Sequence, residues 1–178
     1  MQQMLDGILE YLMMDTGNDK HEINVLDEAV SNLRSVLDDS GATIEHEPLP
    51  ALAVVRSQME QVFQNLISDA IKFRGPSVPR IRVSAVESTE SLRIRFDNNR
   101  IGINPTRVGK IVNMFYRIDG ETTYPGIGAG LAISRRTVRA HGGDITVESS
   151  QGRGSCFILE FRGASVGTIS ADGGAEEV

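Results

Sequence analysis

The chain has 178 residues, with 24 acidic and 18 basic side chains and a formal net charge of −6. This acidic balance disfavours a nucleic-acid surface, and no stretch approaches the roughly 20 apolar residues of a membrane span. The single cysteine excludes a disulfide framework and agrees with a reducing compartment, so we expect a cytoplasmic protein with one domain and an appendage.

Residues 1–15 predict an amphipathic helix. Met1, Leu5, Ile8 and Leu12 recur with the spacing of a coiled-coil seam. A helix this short is not stable alone, so it must dock on a second copy of the chain or on its own domain. The heptad spacing favours the second copy.

Residues 16–23 read as a linker, and the helix and strand patterns of a folded domain begin at residue 24. A helix is predicted over residues 26–37, with Asp27 as its N-cap and Gly41 ending it. A short strand is expected next, at residues 43–47.

The sequence pattern in the middle of the chain predicts a long helix with strands on either side of it. After a second short strand at residues 52–55, the capping box at residues 57–60 opens a long third helix. Apolar and charged residues then alternate over residues 81–85 and 92–96. The loop at residues 87–91 should join these two strands as a hairpin.

The last part of the domain predicts two helices and two strands. A helix is expected over residues 105–113, and another begins after a glycine-rich turn and ends at residues 142–143. Final strands are expected at residues 145–148 and 156–161. The domain therefore ends at about residue 162, and residues 163–178 have the composition of a disordered tail.

Asn65, Asp69 and Lys72 form a polar stripe on the predicted third helix. Their spacing of i, i+4 and i+7 places the three side chains on one helix face. An amide, a carboxylate and an ammonium in line can hold a metal ion and a phosphate chain. The alternative is an ordinary solvated face, since most polar stripes are no more than that.

Gly126, Gly128 and Gly130 alternate just before Leu131, where a helix is predicted to begin. Glycines let the backbone approach an anion closely, and a helix N-terminus attracts one. The segment is not a P-loop, because no Gly-Lys-Ser/Thr follows, and it is a poor dinucleotide fingerprint, because no strand clearly precedes it. A flexible loop with a glycine helix start is the alternative.

The order of these segments resembles the catalytic and ATP-binding domain of sensor histidine kinases, especially the phytochrome-like branch of the GHKL (Bergerat) ATPase superfamily. The matching segments are residues 65–73 (N box), 97–103 (first glycine box), 114–118 (F box), 126–131 (second glycine box) and 141–155 (closing strands). The ordered set is far more specific than any single box, and the resemblance covers about residues 1–162.

The resemblance implies an α/β fold, a two-layer sandwich of a mixed β-sheet against helices, preceded by the end of a dimerisation helix at residues 1–15. It also implies ATP and Mg²⁺ between the N-box helix and a lid at about residues 115–129. The residues it implies are Asn65, Asp69 and Lys72 for catalysis, Asn65 and Asp69 as metal ligands, and Arg74, Asp97, Asn98, Gly102, Phe115, Gly126, Gly128, Gly130 and Leu131 for the nucleotide.

The chain departs from the family pattern at two boxes. Asp69 replaces an asparagine, and without metal its repulsion of phosphate is on the order of 3 kcal/mol. In the first glycine box, Arg100 stands near a glycine position: either Asp97 keeps the adenine role beside one inserted residue, or Asn98 has replaced it. We expect Arg100 to point into water, because fixing a long side chain costs rotamer entropy, and ATP binding to be weak.

Three functions follow from the resemblance. In the first, the chain presents the ATP γ-phosphate to a histidine on another domain or chain, as part of a homodimeric kinase that signals to a response regulator. In the second, it is a degenerate pseudokinase that acts as a protein-interaction module; in the third, it is a stand-alone kinase of protein Ser/Thr. His21 mimics an acceptor histidine, but it is too close to the N box for a second hairpin helix. The chain is therefore expected to lack the acceptor and to be either a segment of a longer kinase or a short natural protein.

Overall fold

The computed structural model describes residues 21–23, 25–50, 52–72, 77–109 and 130–162. In chain order the elements are β1 (His21–Ile23), α1 (Leu26–Asn32), α2 (Arg34–Ser40), β2 (Thr43–His46), β3 (Leu52–Val54), α3 (Arg56–Lys72), β4 (Arg80–Glu87), β5 (Ser91–Asn98), α4 (Pro105–Val108), α5 (Gly130–Ala140), β6 (Gly143–Ser150) and β7 (Gly154–Arg162). No helix among the described residues is long and apolar enough to cross a membrane.

Five strands form one mixed sheet in the order β2-β4-β5-β7-β6. β2 runs parallel to β4, and the other neighbours are antiparallel. β1 and β3 form a separate antiparallel pair. β5 lies at the centre of the large sheet, between β4 and β7.

The helices cover one face of this sheet. α3 packs against α1 and α5, and α5 packs against β6. Phe63 of α3 meets Phe96 of β5 edge to face, with ring centroids 5.1 Å apart. Both rings are buried, and their contact joins the helical layer to the central strand. The α/β two-layer fold that we predicted is confirmed.

Several predicted boundaries were wrong. The first helix is interrupted at Leu33, and it begins without a side-chain cap, so Asp27 lies in its first turn and is not the N-cap. Residues 21–23, which we placed in a linker, form β1 and pair with β3. The helix end at Gly41 is confirmed, because this glycine adopts the left-handed conformation with φ of 67°.

Two further predictions can be compared with the described residues. α3 begins at Arg56, so the proposed capping residue Ser57 lies inside the first turn. The fourth helix is described only over Pro105–Val108. The hairpin and both closing strands are confirmed, and the N-terminal helix, the F box and the tail lie outside the described residues.

Candidate functional site

The polar stripe of α3 faces the beginning of α5. Asn65 is half-buried; its Oδ1 accepts a hydrogen bond from Gln61 at 3.2 Å, and its Nδ2 donates to Ser134 Oγ at 3.4 Å. Ser134 lies on α5 and is fully buried. The amide of Asn65 therefore ties the N-box helix to the helix that follows the glycine-rich segment.

Gly130, the first residue of α5, lies beside Asn65. A Cβ placed on Gly130 would be 3.9 Å from Asn65 Cγ. The next residue, Leu131, is buried and anchors the helix start in the core. Since the first N–H groups of a helix have no partner within the helix, they can bind an anion here. The structure thus brings the N box and the end of the second glycine box together.

Asp69 lies one turn beyond Asn65, in an environment that opposes its charge. Burial raises the pKa of its carboxyl, while the positive charges of Arg100 and Lys72 lower it in part. Two cations therefore act on this carboxylate, and Arg100 exerts the larger effect. Lys72 lies in the last turn of α3 and is half-buried.

Arg100 is buried, and our prediction that it points into water was wrong. The residue is 6% exposed, and its guanidinium carbon lies 5.6 Å from the centroid of the Phe157 ring. Burial lowers the pKa of Arg100, and the charge of Asp69 raises it in part. Our prediction rested on the rotamer entropy of a long side chain, and the aromatic face and the carboxylate offset part of the cost of burying it.

Asn98, and not Asp97, faces the helical layer. The pairing of β5 with β7 continues without interruption to Asn98, so side chains alternate between the two faces up to that residue. Phe96 contacts α3, and Asn98 lies on the same face two residues later.

Asp97 lies on the opposite face of the sheet. It accepts a hydrogen bond from Arg95 Nη2 at 3.3 Å and lies across from Cys156 on β7. Burial, together with the nearby Asp97 carboxylate, raises the pKa of the Cys156 thiol to about 12. Asp97 therefore belongs to the surface ion pairs of the far face. It cannot share a site with Asn65 and Asp69, which corrects its assignment as a nucleotide-binding residue.

The Asn98 amide is held in one orientation. Its Oδ1 accepts the backbone N–H of Arg100 at 3.2 Å. Its Nδ2 is buried and has no hydrogen-bond partner among the described residues. A buried donor without a partner costs free energy unless a ligand or water satisfies it.

Gly102 has a structural role in the first glycine box. Its φ is 74°, and a Cβ at this position would be 2.0 Å from the Ser150 carbonyl oxygen. The neighbouring Ile101 carbonyl accepts a hydrogen bond from Gly152 N–H at 2.7 Å. Gly102 therefore lets the loop after β5 lie against the β6–β7 turn, and we find no contact that assigns it to a ligand.

Four predicted nucleotide residues lie outside the described residues: Arg74, Phe115, Gly126 and Gly128. Two site residues were not found by sequence reasoning, Ser134 and Phe157. Ser134 was detectable as a small polar residue on the apolar side of α5, whereas Phe157 reads as an ordinary core residue. Among the described residues no group of three or more His, Cys, Asp and Glu side chains could hold a metal ion.

A family described as histidine kinase-, DNA gyrase B- and HSP90-like ATPases matches residues 54–165. The chain is 37% identical over 161 residues to cyanobacterial phytochrome A of a Nostoc species, across 88% of this chain and 21% of that protein. It is also 37% identical over 167 residues to the phytochrome-like protein Cph1 of a Synechocystis species, across 90% of this chain and 22% of that protein. The chain thus spans about a fifth of the length of these curated relatives.

Solved structures agree on the fold. Full-length ShkA in complex with AMPPNP superposes with a TM-score of 0.75 at 19% identity, covering 91% of this chain and 36% of that chain. The catalytic domain of histidine kinase ThkA, in a nucleotide-free form, gives 0.67 at 21% identity, covering 80% of this chain and 96% of that chain. At these identities the likeness concerns the fold.

Proposed function

The chain belongs to the family of histidine kinase-, DNA gyrase B- and HSP90-like ATPases, and we propose that it is the part of a sensor histidine kinase that presents the ATP γ-phosphate to a histidine. That histidine lies on another domain or on a second chain.

One observation carries this proposal. The predicted phosphate-binding stripe of α3 lies beside the first turn of α5, where Asn65 donates to Ser134 and lies next to Gly130. An amide side chain lies beside the first backbone N–H groups of a helix there, and such N–H groups can bind a phosphate. A merely solvated stripe would not face another helix.

The mechanism that these residues support is positioning and charge stabilisation. The N–H groups at the start of α5 hold phosphate oxygens, and Lys72 and Arg74 supply positive charge. Asn65 keeps the two helices at a fixed separation. The reaction transfers the γ-phosphoryl group from ATP to an imidazole nitrogen, and ADP leaves.

Mg²⁺ is the metal that the resemblance implies, with Asn65 and Asp69 as its ligands. The described arrangement does not fit this ion, because the positive charges of Arg100 and Lys72 already act on the Asp69 carboxyl and the Asn65 oxygen accepts a hydrogen bond from Gln61. Positive charge already occupies the surroundings of the only carboxylate in the stripe. We derive no step through the metal.

The same proposal assigns roles to the remaining segments of the chain and names its partners. Residues 1–15 are the end of a dimerisation helix, residues 16–20 lead into an ATP-binding domain that begins with β1 and ends at residue 162, and residues 163–178 are a tail. The partners are a histidine-bearing dimerisation domain and a response regulator, in a cytoplasmic homodimer. The aerobic respiration control sensor protein ArcB of Escherichia coli, 38% identical over 123 residues, supports a place in sensor signalling.

ATP binding tests the proposal directly. A fluorescent ATP analogue should bind the chain and be displaced by unlabelled ATP, and Asn65→Ala should weaken that binding about tenfold or more. Gln64→Ala is the matched control, because Gln64 lies next to Asn65 but donates to Glu60 on its own helix. Equal loss in both variants, or no displacement by ATP, would contradict the proposal.

A further inference from the structure

The side-chain amide of Asn98 presents a hydrogen-bond donor at the end of the central strand. We propose that this donor sets the base preference of the nucleotide site, and that the site prefers purine nucleotides with a carbonyl group at position 6, the group that inosine and guanosine nucleotides share, over ATP. The inference rests on the proposed function, since it concerns the base of the same nucleotide.

Asn98 lies on the helix-facing side of β5, at the last residue of the strand. Phe96, two residues earlier on the same face, contacts Phe63 of α3 with ring centroids 5.1 Å apart. Asn65 of the phosphate-binding stripe follows Phe63 by two residues on α3. Two residues span about 7 Å along a strand and about 3 Å along a helix. Asn98 and the stripe therefore flank one ring contact, and a single nucleotide can reach both.

The orientation of the Asn98 amide is set by the backbone. Its Oδ1 accepts the N–H of Arg100 at 3.2 Å, which closes a turn between residues two apart. Exchanging the amide oxygen and nitrogen would set an NH₂ group against that N–H, so the observed orientation is strongly favoured. The group that Asn98 offers to a ligand is therefore Nδ2, a donor.

The strand around Asn98 holds this donor in place. Asn98 pairs with Ile81 of β4 on one side and with Ser155 of β7 on the other. A Cβ on Gly154 would lie 2.0 Å from the Asn98 carbonyl oxygen, so the two backbones are in close contact. A polar group on a rigid strand is positioned more precisely than one on a loop, and selection between similar ligands requires that precision.

The Asn98 donor has no partner within the described residues. Asn98 as a whole is half-buried, but its Nδ2 is buried and makes no hydrogen bond there. The hydroxyl across on β7, that of Ser155, is bonded to Ser149 at 2.7 Å, and the side chain across on β4 is the apolar Ile81. A buried donor without a partner costs free energy, and an acceptor atom of a ligand recovers that cost.

Purines differ in the group that position 6 turns toward this donor. Adenine carries an amino group there, and two donors that face one another leave both without a partner. Hypoxanthine and guanine carry a carbonyl oxygen, which accepts from Nδ2. An asparagine with both amide atoms free can bind adenine through both, but the Asn98 oxygen is engaged with the Arg100 N–H. Asn98 therefore favours the carbonyl.

The first experiment compares inosine triphosphate (ITP) with ATP, because the two differ at position 6 of the base and in the proton on the adjacent ring nitrogen. Each nucleotide displaces a fluorescent ATP analogue from the unmodified chain in the same buffer. We expect ITP to bind at least about tenfold more tightly than ATP, which is the effect of leaving one buried donor unpaired.

The second experiment repeats the comparison with Asn98→Asp. An aspartate of the same shape keeps an acceptor for the Arg100 N–H and places a second oxygen where Nδ2 was, so it accepts from the adenine amino group. We expect the preference to reverse, with ATP at least about threefold tighter than ITP. Asn99→Asp is the matched control, because it makes the same change at an exposed side chain that bonds the backbone of Arg80 and Val78. This control should keep the preference for ITP.

Three results would overturn the inference: ATP binding to the unmodified chain as tightly as ITP or more tightly, an unchanged preference in Asn98→Asp, or the same reversal in Asn99→Asp. The first needs no variant, so it decides even where Asn98→Asp does not fold. Failure of the proposed function looks different, because then neither nucleotide displaces the analogue, and that result would overturn both the function and the base preference.

Discussion

At the scale of single residues, conformation and charge explain which positions tolerate change. Gly102 and Gly152 both have positive φ, at 74° and 78°, but only Gly102 lacks space for a side chain. Asp144 accepts hydrogen bonds from Arg135 and Arg139, so one carboxylate joins the helix α5 to the strand β6. These residues give two predictions.

Gly102→Ala should destabilise the fold far more than Gly152→Ala. At Gly152 the cost is that of a left-handed alanine, about 1–2 kcal/mol, because no atom lies within 4 Å of the added Cβ. At Gly102 the added Cβ would in addition collide with the Ser150 carbonyl oxygen. We therefore expect Gly102→Ala to lower the free energy of unfolding by more than about 4 kcal/mol or to prevent folding. Urea unfolding of both variants measures the difference, and equal losses would show that the loop relaxes.

Asp144→Asn should remove an acid-sensitive part of the stability. The hydrogen bond from Arg135, together with that from Arg139, holds the pKa of Asp144 well below its usual range. A carboxyl with a lowered folded-state pKa contributes fully above its unfolded-state pKa near 3.8, and the contribution is lost as pH falls further. The carboxylate is 40% exposed, so we expect only about 1 kcal/mol.

The measurement is the free energy of unfolding at neutral pH and at about pH 2. The difference between Asp144→Asn and the unmodified chain should shrink at about pH 2, because the carboxyl of the unfolded chain is protonated there and part of the carboxylate's contribution is lost. A difference that is constant across this range would mean that Asp144 acts through packing and not through its charge.

At the scale of elements, His141 joins the C-terminus of α5 to the start of α3. Its Nδ1 donates to the Thr137 carbonyl at 2.8 Å, and its Nε2 accepts the backbone N–H of Val55 at 3.1 Å. Both contacts require the neutral ring with its proton on Nδ1. The sequence does not reveal this contact, because Val55 is 86 residues away along the chain.

His141→Ala should cost about 1–3 kcal/mol, because the half-buried Val55 N–H loses its acceptor. Urea unfolding measures the loss. Ala140→Gly is a control in the same helix end, since it alters helix propensity at an exposed site and should cost about 1 kcal/mol or less. A loss in His141→Ala no larger than in this control would mean that the hydrogen bond to Val55 contributes little.

At the scale of the whole molecule, the prediction is an association between copies through residues 1–15. The seam of Met1, Leu5, Ile8 and Leu12 lies outside the described residues, so it rests on the sequence pattern. Leu5→Asp together with Leu12→Asp should convert a dimer to a monomer in analytical ultracentrifugation, because each change places a carboxylate in an apolar seam. A monomer both before and after would favour docking of this helix on its own domain.

The sequence by itself determined the α/β class, the hairpin, the closing strands and the place of the N box. Those features depend on local periodicity and on the order of motifs, and both are readable in one dimension. Asn65 and Gly130 were predicted from local signals too, an amide on a helix stripe and a glycine at a helix start.

Only the tertiary structure decided the chemistry around Asp69. Whether Arg100 turns inward depends on a carboxylate 31 positions earlier and a phenyl ring 57 positions later, and neither contact has a local sequence signal. The choice between Asp97 and Asn98 required the register of β5, since a shift of one residue exchanges the two faces of a strand. Burial and register are properties of the packed sheet and helices, and for that reason the sequence did not predict that the Arg100 guanidinium lies inside the protein.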